Sequence, residues 1–246
     1  MATDYDAIAG QYKRSKLIPW RTYIEQFTFL QLVGDLSGLS VLDLACGEGF
    51  YTRLLQNRGA SRVLGVDLSR GMIDLARASE RERPQGIEYA VGDALEFRTE
   101  ERFDVVTAAY LLNYAQTEEA LAAMCRTIGT ALEPGGRFVT VNNNPDQSPA
   151  SFEATRPYGF TKSAPTDLQP GTPITYTLHQ DGGAFTFDNY YLSPAAHERA
   201  LGRAGLHAIE WLPPRLSPEW RGDPAYWDAF FADPSIVFLR CRRPTS

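Results

Sequence analysis

Short apolar runs alternate with helical patterns from about residue 41 to 144. Residues 41–45 read as a strand, and residues 51–58 as a helix that Gly59 stops. Residues 63–67 form a second strand. Ser69 then stands where a cap belongs, ahead of Met72, Ile73, Leu75 and Ala76 at helical spacing. Residues 87–91 and 103–109 read as the third and fourth strands. Thr117 is placed to cap a helix whose apolar stripe is Ala120, Leu121, Met124, Ile128 and Leu132. Pro134-Gly135-Gly136 reads as a turn into a fifth strand over 137–142. Strands alternating with helices predict a mostly parallel, Rossmann-like sheet covered on both faces.

The flanks follow other rhythms. Residues 1–36 read as largely helical and packed on the sheet edge, a candidate lid. Residues 145–173 carry Pro145, Pro149, Pro157, Pro165, Pro170 and Pro173, which predicts a loop or excursion rather than a core element. Strand-like runs follow at 174–179 and 184–191, then a helix over 194–204. Residues 206–212 and 235–241 are expected to complete a seven-stranded sheet as an antiparallel hairpin. Three regions result: a lid over 1–36, a binding core over 37–144, and substrate recognition with completion of the sheet over 145–246.

Composition narrows the chemistry. A formal net charge of −6 and the lack of a basic block argue against a nucleic-acid partner and favour a small molecule. Cys46, Cys125 and Cys241 are widely spaced without a C-x-x-C pair, which points to reduced cytoplasmic thiols and to no metal site. The polar start Met1-Ala2-Thr3-Asp4 is no signal peptide, and no apolar run is long enough to span a membrane. Oligomeric state is left open.

The strongest chemical signal is Asp43-Leu44-Ala45-Cys46-Gly47-Glu48-Gly49, a strand running into a turn of small residues. Gly47 and Gly49 let main chain approach a ligand closely. A dehydrogenase fingerprint wants Gly-x-Gly-x-x-Gly, and Thr52 stands at the third position. Asp67 closes the next strand and Asp93 follows the third, so three acids flank one expected pocket at the carboxyl ends of the strands.

This constellation resembles the class I S-adenosylmethionine-dependent methyltransferases over roughly residues 38–144. Asp43 to Gly49 looks like their first motif, with Ala45 where many members carry Gly. Val66-Asp67-Leu68-Ser69 with Met72 looks like the second, and Val91-Gly92-Asp93-Ala94 like the adenine-binding motif. Phe103-Asp104-Val105-Val106 and Leu132-Glu133-Pro134-Gly135-Gly136 look like the fourth strand and the approach to the fifth. The resemblance implies S-adenosylmethionine as cofactor and S-adenosylhomocysteine as product. Asp43 would anchor the turn or, through water, orient the cofactor ammonium. Main chain near Ala45, Gly47 and Glu48 would meet the methionine portion, with Cys46 a further cofactor contact, and Asp67 would meet the ribose hydroxyls. Leu68 and Met72 would flank the adenine, or serve in helix packing. Gly92, Asp93 and Ala94 would bind its edge, Asp93 having a turn cap as its other reading. Ala109 and Tyr110 end the fourth strand, beside the expected methyl group. Tyr12 is a candidate lid contact and Arg21 a candidate partner of the cofactor carboxylate.

Within that family the closest look is to the azapteridine N-methyltransferases of toxoflavin biosynthesis. It rests on Gly34-Asp35-Leu36-Ser37-Gly38 with Ser40 to Gly47, on Gly59-Ala60-Ser61-Arg62-Val63, and on Val106 to Ala115. The implied activity is methylation of a small secondary-metabolite heterocycle, at nitrogen or oxygen, as in antibiotic biosynthesis. Tyr110, Asn113, Asn142, Asn144, Tyr176 and Tyr191 are candidate substrate contacts, aromatics and amides being suited to a flat polar ring. No catalytic residue is nominated; His179 is the histidine best placed as a base. The competing readings are a dinucleotide-dependent oxidoreductase and a non-catalytic protein that binds S-adenosylmethionine.

Overall fold

The computed structural model describes residues 18–180 and 183–245. Its centre is a seven-stranded sheet in the order β3-β2-β1-β4-β5-β10-β9. The strands are β1 (Ser40–Leu44), β2 (Arg62–Asp67), β3 (Glu88–Val91), β4 (Phe103–Ala109), β5 (Leu132–Asn143), β9 (His207–Leu212) and β10 (Ile236–Arg242). The first five run parallel, and β10 lies antiparallel to both β5 and β9. Central β1 is buried at every residue after Ser40, and its alternating side chains feed two cores. Val41 packs with Phe29, Leu55 and Ile73 on one face. Leu42 and Leu44 pack with Leu121, Ile128 and Leu201 on the other.

Helices α1 (Phe27–Val33), α2 (Phe50–Gln56) and α3 (Arg70–Glu82) cover the first face. Helices α4 (Glu118–Ala131) and α5 (Pro194–Arg203) cover the second. The caps fall where the sequence places them: Ser69 Oγ accepts from Met72 N at 3.0 Å, and Thr117 Oγ1 from Ala120 N at 3.2 Å. A short helix α6 (Asp228–Ala232) precedes β10. α4 and α5 approach so closely that a Cβ on Gly129 would sit 2.3 Å from the Ala204 carbonyl oxygen. Gly129→Ala gains at most about 1 kcal/mol of helix propensity. Overpacking against a backbone atom costs about 1–3 kcal/mol. The variant should therefore unfold at lower urea concentration than the parent; a higher midpoint would show that the helices part freely.

Two features depart from the sequence reading. β5 begins at Leu132, not after the Pro-Gly-Gly run: Phe103 pairs with Leu132 but Val105 with Arg137, so the glycines form an irregularity inside the strand. The proline-rich excursion carries regular structure in its first half, while residues 164–172 are irregular. A 3-10 helix over Pro149–Tyr158 leads into β6 (Phe160–Ser163), which joins β7 (Pro173–Gln180) and β8 (Gly183–Tyr190) in a separate antiparallel sheet. Prolines break the regular structure there, but Phe152, Tyr158 and Phe160 are buried and give it a core. Trp20 packs on Phe160 at 4.9 Å, tying the N-terminal segment to this second sheet.

Candidate active site

β1 sits between β2 and β4, so the chain leaves β1 toward one edge and returns to build the other. The carboxyl ends of β1 and β4 therefore flank the switch point, where open α/β sheets hold ligands. The turn after β1 is built from left-handed residues: Ala45 has φ 54°, Gly47 φ 56° and Gly49 φ 81°. A left-handed alanine costs about 1–2 kcal/mol, and it stands where the sequence departs from Gly. Gly47 has no atom within 4 Å of where a Cβ would be, so its face opens onto a cavity. Its N–H donates to Asp67 Oδ2 at 2.8 Å, while Ser69 N–H donates to Asp67 Oδ1 at 2.9 Å. One carboxylate thus ties the two loops together.

The cavity has a volume of about 290 Å³. It runs from Ala45 and Gly47 past Asp67, Leu68 and Met72 to Gly92, Asp93 and Ala94. Leu68 is 66% exposed at its rim, an apolar surface that a flat ring would cover. Asp93 lines the cavity and also caps its own turn, Oδ1 accepting from Leu95 N–H at 2.9 Å. The wall continues through Ala109, Tyr110, Tyr114 and Gln116 to Asp188 and Tyr190 of β8. A narrow recess of about 30 Å³ adjoins it at Ala45, Gly47 and Ala109, with Asp43, Cys46 and Tyr51 in its wall. Asp43 is 1% exposed and accepts from Thr52 Oγ1 at 2.7 Å and Thr107 Oγ1 at 2.8 Å. Those bonds make it an anchor of the turn. Burial, reinforced by Asp43 and Asp67, pushes the Cys46 thiol well above its ordinary pKa.

Tyr110 lines this cavity and also a second one of about 20 Å³. Its φ of 66° is rare for a bulky residue, and its hydroxyl donates to Glu25 Oε2. Glu25 is fully buried; Tyr51 OH donates to its Oε1 at 2.6 Å, and Arg21 pairs with the same oxygen at 3.4 Å. Burial and the neighbouring Glu25 charge push the Tyr110 phenol well above its usual pKa. Arg21 and Glu25 lie on a π-helical turn, Arg21–Gln26, a backbone form that recurs at functional sites. Sequence reasoning missed Glu25; an acid four residues after Arg21, next to apolar Ile24, was its only signal.

Of the residues nominated from sequence, Ala45, Gly47, Asp67, Leu68, Met72, Gly92, Asp93, Ala94, Ala109 and Tyr110 meet around the larger cavity. Asp43 and Cys46 line the recess. Tyr12 lies outside the described residues. Arg21 lines the smaller cavity and pairs with Glu25. Tyr176 also lines the smaller cavity. Asn113, Asn142, Asn144 and Tyr191 line none of these cavities. Asn142 Oδ1 accepts from Asn113 N–H at 3.2 Å, and Asn144 Nδ2 donates to the Pro234 carbonyl at 2.8 Å. Strand parity explains the split, since Asn143, between the two, points to the second sheet and bonds Asn189 and Tyr176. Tyr190 rather than Tyr191 lines the larger cavity for the same reason. His179 contacts Thr161 Oγ1 at 3.2 Å and lines no cavity. Among the described residues no acid, His and Cys group could hold a metal ion, and no helix is long and apolar enough to cross a membrane.

The family model described as "Methyltransferase domain" matches residues 41–136, which hold the turn, Asp67 and Asp93. N-demethylindolmycin N-methyltransferase of Streptomyces griseus is 29% identical over 177 residues, covering 71% of this chain and 73% of that protein. Demethylmenaquinone methyltransferase of Lactococcus lactis is 34% identical over 164 residues, covering 64% and 61%. The chain thus spans about three fifths of the second relative's length. An S-adenosylmethionine-dependent methyltransferase from Mesorhizobium loti shares the fold with a TM-score of 0.60 at 24% identity, over 89% of this chain and 97% of that one. With these relatives and this fold, the chain is an S-adenosylmethionine-dependent methyltransferase. The cofactor is S-adenosylmethionine, and the cavity fits it: an open glycine cradle, a carboxylate at the strand end, an exposed leucine and an acid follow along its wall.

Proposed function

We propose that this methyltransferase transfers the cofactor's methyl group to a small heterocyclic acceptor of secondary metabolism, at a nitrogen or an oxygen. The observation that carries this reading is Tyr110, which lines both the larger cavity and the amide-walled smaller one. In this reading Asp67 accepts the ribose hydroxyls, and Leu68 and Met72 cover the adenine. Asp93 with the Ala94 N–H meets the adenine edge. Main chain at Ala45 and Gly47 holds the methionine end. The cofactor supplies a methyl group on a positively charged sulfur, already a good leaving group. The chain's own contribution is then alignment and exclusion of water. Phe160, Leu178 and Phe187 keep the acceptor end dry. The Streptomyces griseus relative, by its name an N-methyltransferase of a secondary metabolite, supports the acceptor class. Residues 37–144 act as the cofactor-binding core, residues 1–36 as a lid, and residues 145–246 as the acceptor-recognition part.

Calorimetric titration should show binding of S-adenosylmethionine and S-adenosylhomocysteine and none of NADH. Incubation with a pool of heterocyclic metabolites and S-adenosylmethionine should yield a product heavier by one methylene. If neither sulfur nucleoside binds, the reading is wrong. If they bind and no mass gain appears, a binding protein without catalysis takes its place.

A further inference from the structure

The smaller cavity, about 20 Å³ beyond Tyr110, is too small for a ring. A void of that size holds about one water molecule, or one oxygen atom of a larger ligand. Its polar wall is Trp20, Arg21, Tyr114, Asn143, Tyr176 and Asn189. The hydrogen-bond inventory there is lopsided. Tyr176 OH donates to Asn143 Oδ1 at 2.6 Å, and Asn143 Nδ2 donates to Asn189 Oδ1 at 2.9 Å, so both amide oxygens are engaged. Each amide nitrogen carries two N–H bonds. Asn189 Nδ2 uses its two on the Asp188 carbonyl at 3.2 Å and on the Tyr114 hydroxyl, whereas Asn143 Nδ2 keeps a second. Trp20 is 3% exposed, and its indole N–H has no hydrogen-bond partner among the described residues. A buried donor left unmade costs about 1–3 kcal/mol, so the wall asks for an acceptor.

The charge balance selects which acceptor. Arg21 is the one cation in the wall, and Glu25 already neutralises it. A carboxylate entering there would be a buried charge with no countercharge of its own, which is costly. A neutral carbonyl oxygen satisfies the donors without that cost. Resting on the methyl-transfer reading above, we infer that the cavity walled by Trp20, Arg21, Asn143 and Asn189 is a subsite for one neutral carbonyl oxygen of the methyl acceptor. The acceptor class is thereby a lactam, imide or cyclic ketone. Its carbonyl is seated past Tyr110, and its ring occupies the outer end of the larger cavity, by Tyr114 and Tyr190.

The test uses the full chain saturated with S-adenosylhomocysteine and matched ring pairs differing in one oxygen: oxindole against indoline, and 2-quinolone against quinoline, with indole-2-carboxylate as the charged arm. The lactam of each pair should bind at least tenfold tighter than its partner and than the carboxylate. With ¹⁵N-tryptophan labelling, the Trp20 indole resonance, assigned by its loss in Trp20→Phe, should shift on adding oxindole and stay in place with indoline. In Trp20→Phe the preference should fall below threefold, with affinity for S-adenosylhomocysteine unchanged. Equal affinity within the pairs, including no binding by any member, overturns the inference, as does preference for the carboxylate or an unmoved Trp20 resonance. The pair measurements on the parent protein stand even if the variant does not fold. Failure to bind S-adenosylhomocysteine would instead overturn the methyl-transfer reading itself.

Discussion

Replacing Asp67 by Ala should weaken binding of both S-adenosylmethionine and S-adenosylhomocysteine by about 100-fold or more. Two hydrogen bonds from ribose hydroxyls to a carboxylate are each worth about 1.5–3 kcal/mol, and about 1.4 kcal/mol is tenfold in affinity. The loss has a second source. Asp67 accepts from Gly47 N–H at 2.8 Å and from Ser69 N–H at 2.9 Å, so the alanine also unties the turn that presents Gly47. Asp67→Asn separates little, since its NH₂ group would confront one of those two N–H donors. Thr52→Val is the better control. It removes a bond to buried Asp43 on the far side of the same turn without touching the cavity wall. It should lower the unfolding midpoint while sparing cofactor affinity more than Asp67→Ala does. Calorimetry with both nucleosides decides it: affinity within threefold of the parent would remove the ribose role from Asp67.

The cofactor half of the molecule was legible because its signals are local. Strand, turn and cap at Val41 to Gly49, at Asp67 to Met72, and at Gly92 to Ala94 are each written in consecutive residues, and a parallel sheet then brings their carboxyl ends together. The smaller cavity was legible only in residue type. Its wall joins Trp20 and Arg21 with Asn143, Tyr176 and Asn189, residues separated by more than a hundred positions and brought together by the second sheet. Two of that sheet's strands, over 174–179 and 184–191, were legible from alternation, but prolines at 149, 157 and 165 hid β6, because breakers outweigh a four-residue run in a local reading. Parity mattered equally. In a strand successive residues face opposite ways, so three consecutive asparagines cannot all serve one cavity, and the one that does is Asn143. Glu25 was illegible for a different reason. Its role depends on Tyr51 and Tyr110, which reach it from two other elements.

Replacing Lys162 by Met should stabilise the protein at pH 6 by about 1–4 kcal/mol, the range seen when buried charges give way to apolar side chains. Lys162 is 2% exposed, and its ammonium lies over the rings of Phe152 and Tyr176 at 4.5 and 5.4 Å. Burial lowers its pKa from the ordinary 10.5 to about 7, against a smaller opposing pull from Asp233. That acid is itself occupied, its Oδ2 accepting from Ser148 N–H at 3.1 Å and Ser151 Oγ at 2.7 Å. The sign follows from proton counts. Between about pH 7 and 10.5 the unfolded chain carries a proton on this lysine that the folded one lacks, so stability rises with pH. Below about 7 both states are charged and the whole cost of burying the ammonium is present. Above 10.5 both are neutral and the cost is gone. Met fills a similar volume without that charge, so its advantage should shrink steadily across this window. Urea midpoints of parent and variant at each pH from 6 to 10 measure it. Converging curves bear out a lysine buried against its charge, whereas parallel curves, or a variant less stable at pH 6, would show that the two rings hold the ammonium well enough to repay its dehydration.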